Sequence, residues 1–94
     1  MPGRGLWAAG AFATRALVQA AAQEMRGDGI HAALLAVDAT IESPKTAGYT
    51  QDTPRDALAD MGQIAEAVAF LVNQRSRAYT HEMVVTPSGD RWVP

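Results

Sequence analysis

Ile30-His31-Ala32-Ala33-Leu34-Leu35-Ala36-Val37 is the stretch on which the architecture turns. These eight residues are apolar almost without a break, and Gly29 and Asp38 bound them. Such a run predicts a strand covered on both faces, as in the interior of a parallel sheet. His31, near its start, is expected to be a packed or edge histidine rather than a ligand. Upstream, residues 6–26 are nearly all good helix formers. Arg15, Gln19 and Gln23 recur at spacing four and make one polar stripe, while the rest of the circumference carries Trp7, Phe12, Leu17, Val18, Met25 and eight alanines. An apolar face that broad exceeds what one side of a small domain covers, so its second side is expected to come from another chain. Gly27-Asp28-Gly29 ends the helix, with glycine in the left-handed C-terminal position.

Downstream, residues 39–60 form a long connection rich in Thr, Ser, Pro, Asp and Gly. Connections of that length are commonly functional lids or disordered. Within it, Thr53-Pro54-Arg55-Asp56 sets a capping threonine before a helix-starting proline, predicting a short helix over 54–59. Asp60 then caps a helix over 61–73, with Gln63 completing a capping box. Met61, Ile64, Ala65, Val68, Leu71 and Val72 give that helix its apolar spacing. Arg75-Ser76-Arg77 reads as a polar turn and residues 82–86 as a second strand, stopped by Pro87-Ser88-Gly89. Trp92, in the tail, is expected exposed or docked. The order helix, strand, long loop, helix, strand predicts an α/β protein. The strand–helix–strand crossover requires parallel strands. Two strands are too few for a stable sheet, so residues 1–94 read as one partial domain, half of a doubly wound, Rossmann-like fold.

Composition narrows the function. Of the 94 residues 48% are hydrophobic, but nineteen residues are alanine, so any core is thin. A chain this short buries only about 60–65% of its unfolded surface. The net charge of −2 and the lack of a basic run give no electrostatic footprint for nucleic acid. The absence of cysteine excludes a disulfide framework, a thiolate nucleophile and a Cys-type zinc site. No apolar run is long enough to span a membrane. The stretch from Leu6 to Ala13 faintly resembles a signal peptide, but Arg15 interrupts it and the helical pattern continues, so a cytoplasmic location is expected. His81 and Glu82, adjacent on a strand, point to opposite faces and cannot chelate one ion. No metal site is expected. Lys45 reads as a solvated loop residue.

Five segments in this order resemble the C-terminal half of the short-chain dehydrogenase/reductase family. The resemblance runs from about Trp7 to Gly89. It rests on Ala16-Leu17-Val18 through Gln23-Glu24-Met25, on Gly29-Ile30-His31-Ala32-Ala33, and on Val37-Asp38-Ala39-Thr40-Ile41-Glu42-Ser43-Pro44. Gln63-Ile64-Ala65-Glu66-Ala67-Val68-Ala69-Phe70-Leu71 and Thr80-His81-Glu82-Met83-Val84-Val85 complete it. The third segment lies where the family usually has Pro-Gly-x-(Val/Ile)-x-Thr-Pro. The resemblance implies a Rossmann-like sheet, NAD or NADP as cofactor, and contact of the Ile41 backbone and the Ser43 hydroxyl with the nicotinamide carboxamide. Asp38 and Ala39 depart from the Pro-Gly. More consequentially, the family's Tyr-x-x-x-Lys falls on Trp7-Ala8-Ala9-Gly10-Ala11. Neither Trp7 nor Ala11 supplies a titratable group for general acid–base catalysis. The glycine-rich phosphate loop is absent with the first half of the sheet, and Gly3-x-Gly5 has no strand before it.

No cofactor or catalytic residue is therefore expected for the isolated chain. Asp38, Thr40, Glu42 and Ser43 sit where doubly wound sheets bind ligands, beyond the carboxyl ends of strands. They read more readily as a polar loop capping the strand. The principal expectation is a dehydrogenase-like fragment, inactive alone, that forms a homo-oligomer through the helix over 6–26. Two alternatives are the substrate-side half of an NAD(P)-dependent oxidoreductase whose N-terminal part lies outside this chain, and a binding module using the loop over 39–60.

Overall fold

A computed structural model describes residues 4–91. Helix α1 spans Arg4–Glu24 and strand β1 spans Leu34–Val37; helix α2 covers Met61–Val72 and strand β2 Glu82–Val85. Single 3-10 turns sit at Arg26–Asp28 and Arg55–Ala57. The strands pair in parallel, Leu34 opposite Glu82 and Val37 opposite Val85, so α2 lies on the connection between two parallel strands. This is the small α/β organisation expected from the pattern.

The strand over 30–37 is half as long as the apolar run suggested. Its partner sets the limit: β2 begins at Glu82, and pairing starts with the Leu34 N–H donating to the His81 carbonyl at 3.0 Å. Residues 30–33 have no strand opposite them. Nor does the described chain cover both faces, since all four residues of β1 are only half-buried. The predicted helix over 54–59 is a 3-10 turn, and its first residue is preceded by Pro54 with no side-chain cap, so Thr53 does not cap it. Asp60 does cap α2, its carboxylate accepting the Gln63 N–H at 2.9 Å, an arrangement worth about 1 kcal/mol. Gly29 takes a φ of 75°, its N–H closing on the Arg26 carbonyl. Trp92 and Gly3 lie outside the described residues.

Arg15, Gln19 and Gln23, the polar stripe of α1, are exposed as the spacing suggested, and the first two also reach across to β2. The Arg15 guanidinium grips Glu82 of β2 twice, Nε–Oε1 at 2.6 Å and Nη2–Oε2 at 3.1 Å, and Gln19 Nε2 donates to the same carboxylate at 3.0 Å. Val18, Ala22 and Met25 lie on this side at three-four spacing, and Ala22 is buried. Alternation along β2 puts Met83 and Val85 on the face opposite Glu82. There Val85 shares a cleft with Ile64 and Ala67 of α2. The helices thus flank the small sheet.

Little is buried. Ala22, Ala59 and Leu71 are the buried residues among those described. The rest of α1 projects: Leu6, Trp7, Phe12 and Leu17 are 66–83% exposed. Trp7 shares the inward side with Val18 but sits eleven residues earlier, about 16 Å further along the helix axis.

Arg15's hydrogen bonds hold the Glu82 carboxyl below its ordinary value, with a smaller contribution from Gln19; partial burial acts in the opposite direction. Because the folded value is the lower one, this stabilisation is complete above the unfolded value of 4.5 and is lost as pH falls through the folded value. Urea midpoints measured from roughly pH 7 down to pH 3 should fall more steeply for the wild type than for Glu82→Gln. Parallel curves would remove the ion pair from the list of stabilising contacts.

Candidate functional site

Beyond the carboxyl ends of β1 and β2 lies an open cleft of about 910 Å³. The chain leaves β1 with the Asp38 N–H bonded to the Val85 carbonyl at 2.9 Å. The long loop then folds back on itself. Ile41 bridges Ala59 in parallel fashion, the Glu42 N–H donates to the Ala59 carbonyl, and the Ala59 N–H donates to the Thr40 carbonyl, both at 2.9 Å. The connection is therefore an ordered flap pinned at its base.

Thr46 holds the turn beyond that base. Its hydroxyl accepts the Ser43 N–H at 3.0 Å and donates to the Ile41 carbonyl at 2.7 Å, while the Thr50 hydroxyl donates to the Thr46 carbonyl at 2.8 Å. Ser43 Oγ lies 3.4 Å from the Thr46 hydroxyl. Ile41 and Ser43, the residues marked by resemblance for cofactor contact, thus take part in local hydrogen bonding. Neither lines the cleft, although Glu42 between them does. Thr46 escaped the sequence reading. The spacing Ser43-x-x-Thr46-x-x-x-Thr50 is the available signal, since such hydroxyls bond the backbone within a few residues and nucleate turns.

The cleft is acidic. Glu42, Asp56, Asp60 and Glu66 line it against a single cation, Arg55. Arg55 stands 3.7 Å from Glu42, with the guanidinium largely in solvent, so the pair is well screened. Asp60 is committed to the α2 cap. A negative lining disfavours the pyrophosphate of a dinucleotide. The lining includes no phenol, imidazole, thiol or ammonium group. Among the described residues no three His, Cys, Asp or Glu side chains converge to hold a metal ion. Thr86, at the end of β2, keeps its hydroxyl buried without a partner, which costs about 1–3 kcal/mol. Trp7 and Ala11, on the positions that the resemblance assigns to the catalytic pair, are both exposed on the projecting half of α1 and line neither this cleft nor a second, smaller one.

Gly89 closes one wall. Its N–H donates to the Asp56 carbonyl at 2.8 Å, and a methyl group there would fall 2.5 Å from the Asp56 carboxylate and 2.8 Å from its backbone carbon. The backbone contact leaves no soft atom to yield. Gly89→Ala should cost about 1–3 kcal/mol. Gly48→Ala, where nothing lies within 4 Å, is the matched control, and equal chemical-denaturation midpoints for the two variants would contradict the close approach.

No family model, no curated protein and no solved structure matches this chain.

Proposed function

We propose that the chain is a short-chain-dehydrogenase-like, partial Rossmann module that acts by association rather than by redox chemistry of its own, a second copy seating on the outer face of α1. The observation that carries this reading is its unfinished surface. A compact protein of 10.0 kDa exposes about 5,200 Å². This chain exposes 7463 Å², an excess of about 2,200 Å². Obligate homodimers bury about 1,000–2,500 Å² per partner, so a single interface accounts for the difference. The radius of gyration agrees, 15.6 Å against about 12.4 Å for a compact chain of this length.

The outer face of α1 has the shape for it. Leu6, Gly10, Ala13, Leu17 and Ala20 recur at alternating spacings of four and three, and all are exposed. The small residues let two such helices approach closely, and a two-fold axis makes one stripe serve as both partners. The dehydrogenase likeness draws support from the parallel strand–helix–strand unit. The lack of activity draws support from Trp7 and Ala11 and from the acidic cleft without a proton donor of the required kind.

A second reading, the substrate-side half of an NAD(P)-dependent oxidoreductase, is favoured by the open outer edge of β1, which is paired on one side only. There a dinucleotide-binding half would add a strand. Light scattering on the purified chain, with a panel of carbonyl compounds offered together with NADH or NADPH, tests both. The expected result is a discrete oligomer with no consumption of reduced cofactor. A monodisperse monomer with a cooperative melt overturns the association reading, and turnover overturns the claim of inactivity. A reading frame continuing upstream of Met1 into a strand and Gly-x-x-x-Gly-x-Gly would favour the second reading.

A further inference from the structure

The second cleft, of about 360 Å³, lies at the opposite end of the sheet, where both strands begin. It is lined by Arg26 after α1, by His31 before β1, and by Ser76, Arg77, Tyr79 and His81 on the approach to β2. No acidic residue lines it. Among the described residues neither Arg26 nor Arg77 has a carboxylate within ion-pair distance. The nearest acid in sequence to His81 is Glu82, and Arg15 and Gln19 of α1 already hold that carboxylate. The chain as a whole carries −2, so this concentration of cationic and hydrogen-bond-donating groups runs against the average.

The lining is held in place. The His31 ring stacks on Tyr79 with centroids 3.9 Å apart and planes within 5°, and His81 meets it edge-on at 6.2 Å. His31 Nε2 lies 2.7 Å from the Thr80 carbonyl. A carbonyl only accepts, so the proton is on Nε2. Thr80 is itself clamped by Gln74, whose Oε1 accepts the Thr80 N–H and whose Nε2 donates to the Thr80 hydroxyl, both at 2.8 Å. The aromatic floor is thus fixed before any ligand arrives, and only the two arginine side chains have to order.

We propose that this cleft binds a phosphate group, as a small phosphorylated compound, between Arg26 and Arg77 and against the His31–Tyr79–His81 cluster. Guanidinium groups match phosphate oxygens bidentately. The Ser76 hydroxyl adds a donor, and the volume is at the small end of the range for ligand pockets, larger than a bare phosphate needs. The inference is independent of self-association and of any dehydrogenase likeness, since it lies at the amino ends of the strands.

The test is an NMR titration of the full chain, in whatever oligomeric state it adopts, with inorganic phosphate and then pyrophosphate at constant ionic strength, following the histidine ring signals and the arginine Nε–H groups. Saturable shifts of His31 and His81 together with Arg26 and Arg77 are expected, tighter with pyrophosphate. Arg26→Gln and Arg77→Gln should each weaken binding at least about tenfold, and Arg77→Lys should do so less. Both positions are exposed, so the variants should fold, as the unchanged remainder of the spectrum would verify. Shifts that rise without saturating, that chloride reproduces, or that survive both Arg→Gln changes overturn the proposal.

Discussion

Leu71→Ala lowers the stability of the chain by about 3 kcal/mol and its melting temperature by about 15 °C. Leu71 is 7% exposed, and the other two buried residues among those described are alanines, Ala22 and Ala59. Among the described residues Leu71 is therefore the one large apolar side chain that is buried. Removing it leaves a cavity that α2 cannot readily close, because Asp60 pins its first turn. Its neighbours provide the contrast. Val72 is 74% exposed, and truncating an exposed residue changes stability by at most about 0.5 kcal/mol. Thermal melts of Leu71→Ala and Val72→Ala at one protein concentration separate the two. A difference below about 1 kcal/mol would mean that α2 presents another face to the sheet.

The same residue illustrates what the sequence made legible. The three-four spacing of Met61, Ile64, Val68 and Leu71 placed α2 correctly, because helical periodicity is a local property. Asp60 marked the start of α2 for the same reason, with a side-chain acceptor, whereas Gly29, at its positive φ, closes the 3-10 turn over Arg26–Asp28 and α1 itself stops at Glu24. The lengths of the strands were not local. The extent of β1 depends on where β2 starts, and nothing within Ile30-His31-Ala32-Ala33 announces that Glu82 lies opposite Leu34.

The partner of the α1 stripe was not legible for a related reason. Arg15 and Gln19 look like a solvent stripe until Glu82, distant in sequence, appears as their partner. Hydropathy ranks polar residues as outward, yet a polar contact between two half-exposed elements looks the same in sequence as a wet surface. Of Asp38, Thr40, Glu42 and Ser43, which the rule for ligands beyond the carboxyl ends of strands singled out, only Glu42 lines the acidic cleft. Thr46, Thr86 and the Gly89–Asp56 contact depend on how the loop folds back. The basic cleft went unread because its lining comes from three separate segments, with Arg26 and Arg77 far apart in sequence.

On the self-association proposed above, Leu6→Glu combined with Leu17→Glu should yield single chains at any concentration accessible to light scattering, while α1 stays helical by circular dichroism. Leu6 and Leu17 are 83% and 71% exposed in the single chain and lie eleven residues apart, three turns along one side of α1. Burying a leucine stabilises by about 1.5–3 kcal/mol. Two from each copy at a two-fold interface therefore supply about 6–12 kcal/mol, most of what a micromolar dimer requires. The replacements also bring four carboxylates together across that interface, adding repulsion to the lost burial. In a single chain these positions touch nothing, so the same double change should leave the helix within about 0.5 kcal/mol of its starting stability. The Arg15–Glu82 grip, on the other side of α1, is expected to persist. Dissociation without loss of helix places the interface on this stripe. A double variant that keeps its mass moves the interface elsewhere, with exposed Trp7, Phe12 and Phe70 as the next apolar positions to charge. A wild type that already runs as a monomer would leave about 2,200 Å² of excess surface to a partner other than a second copy.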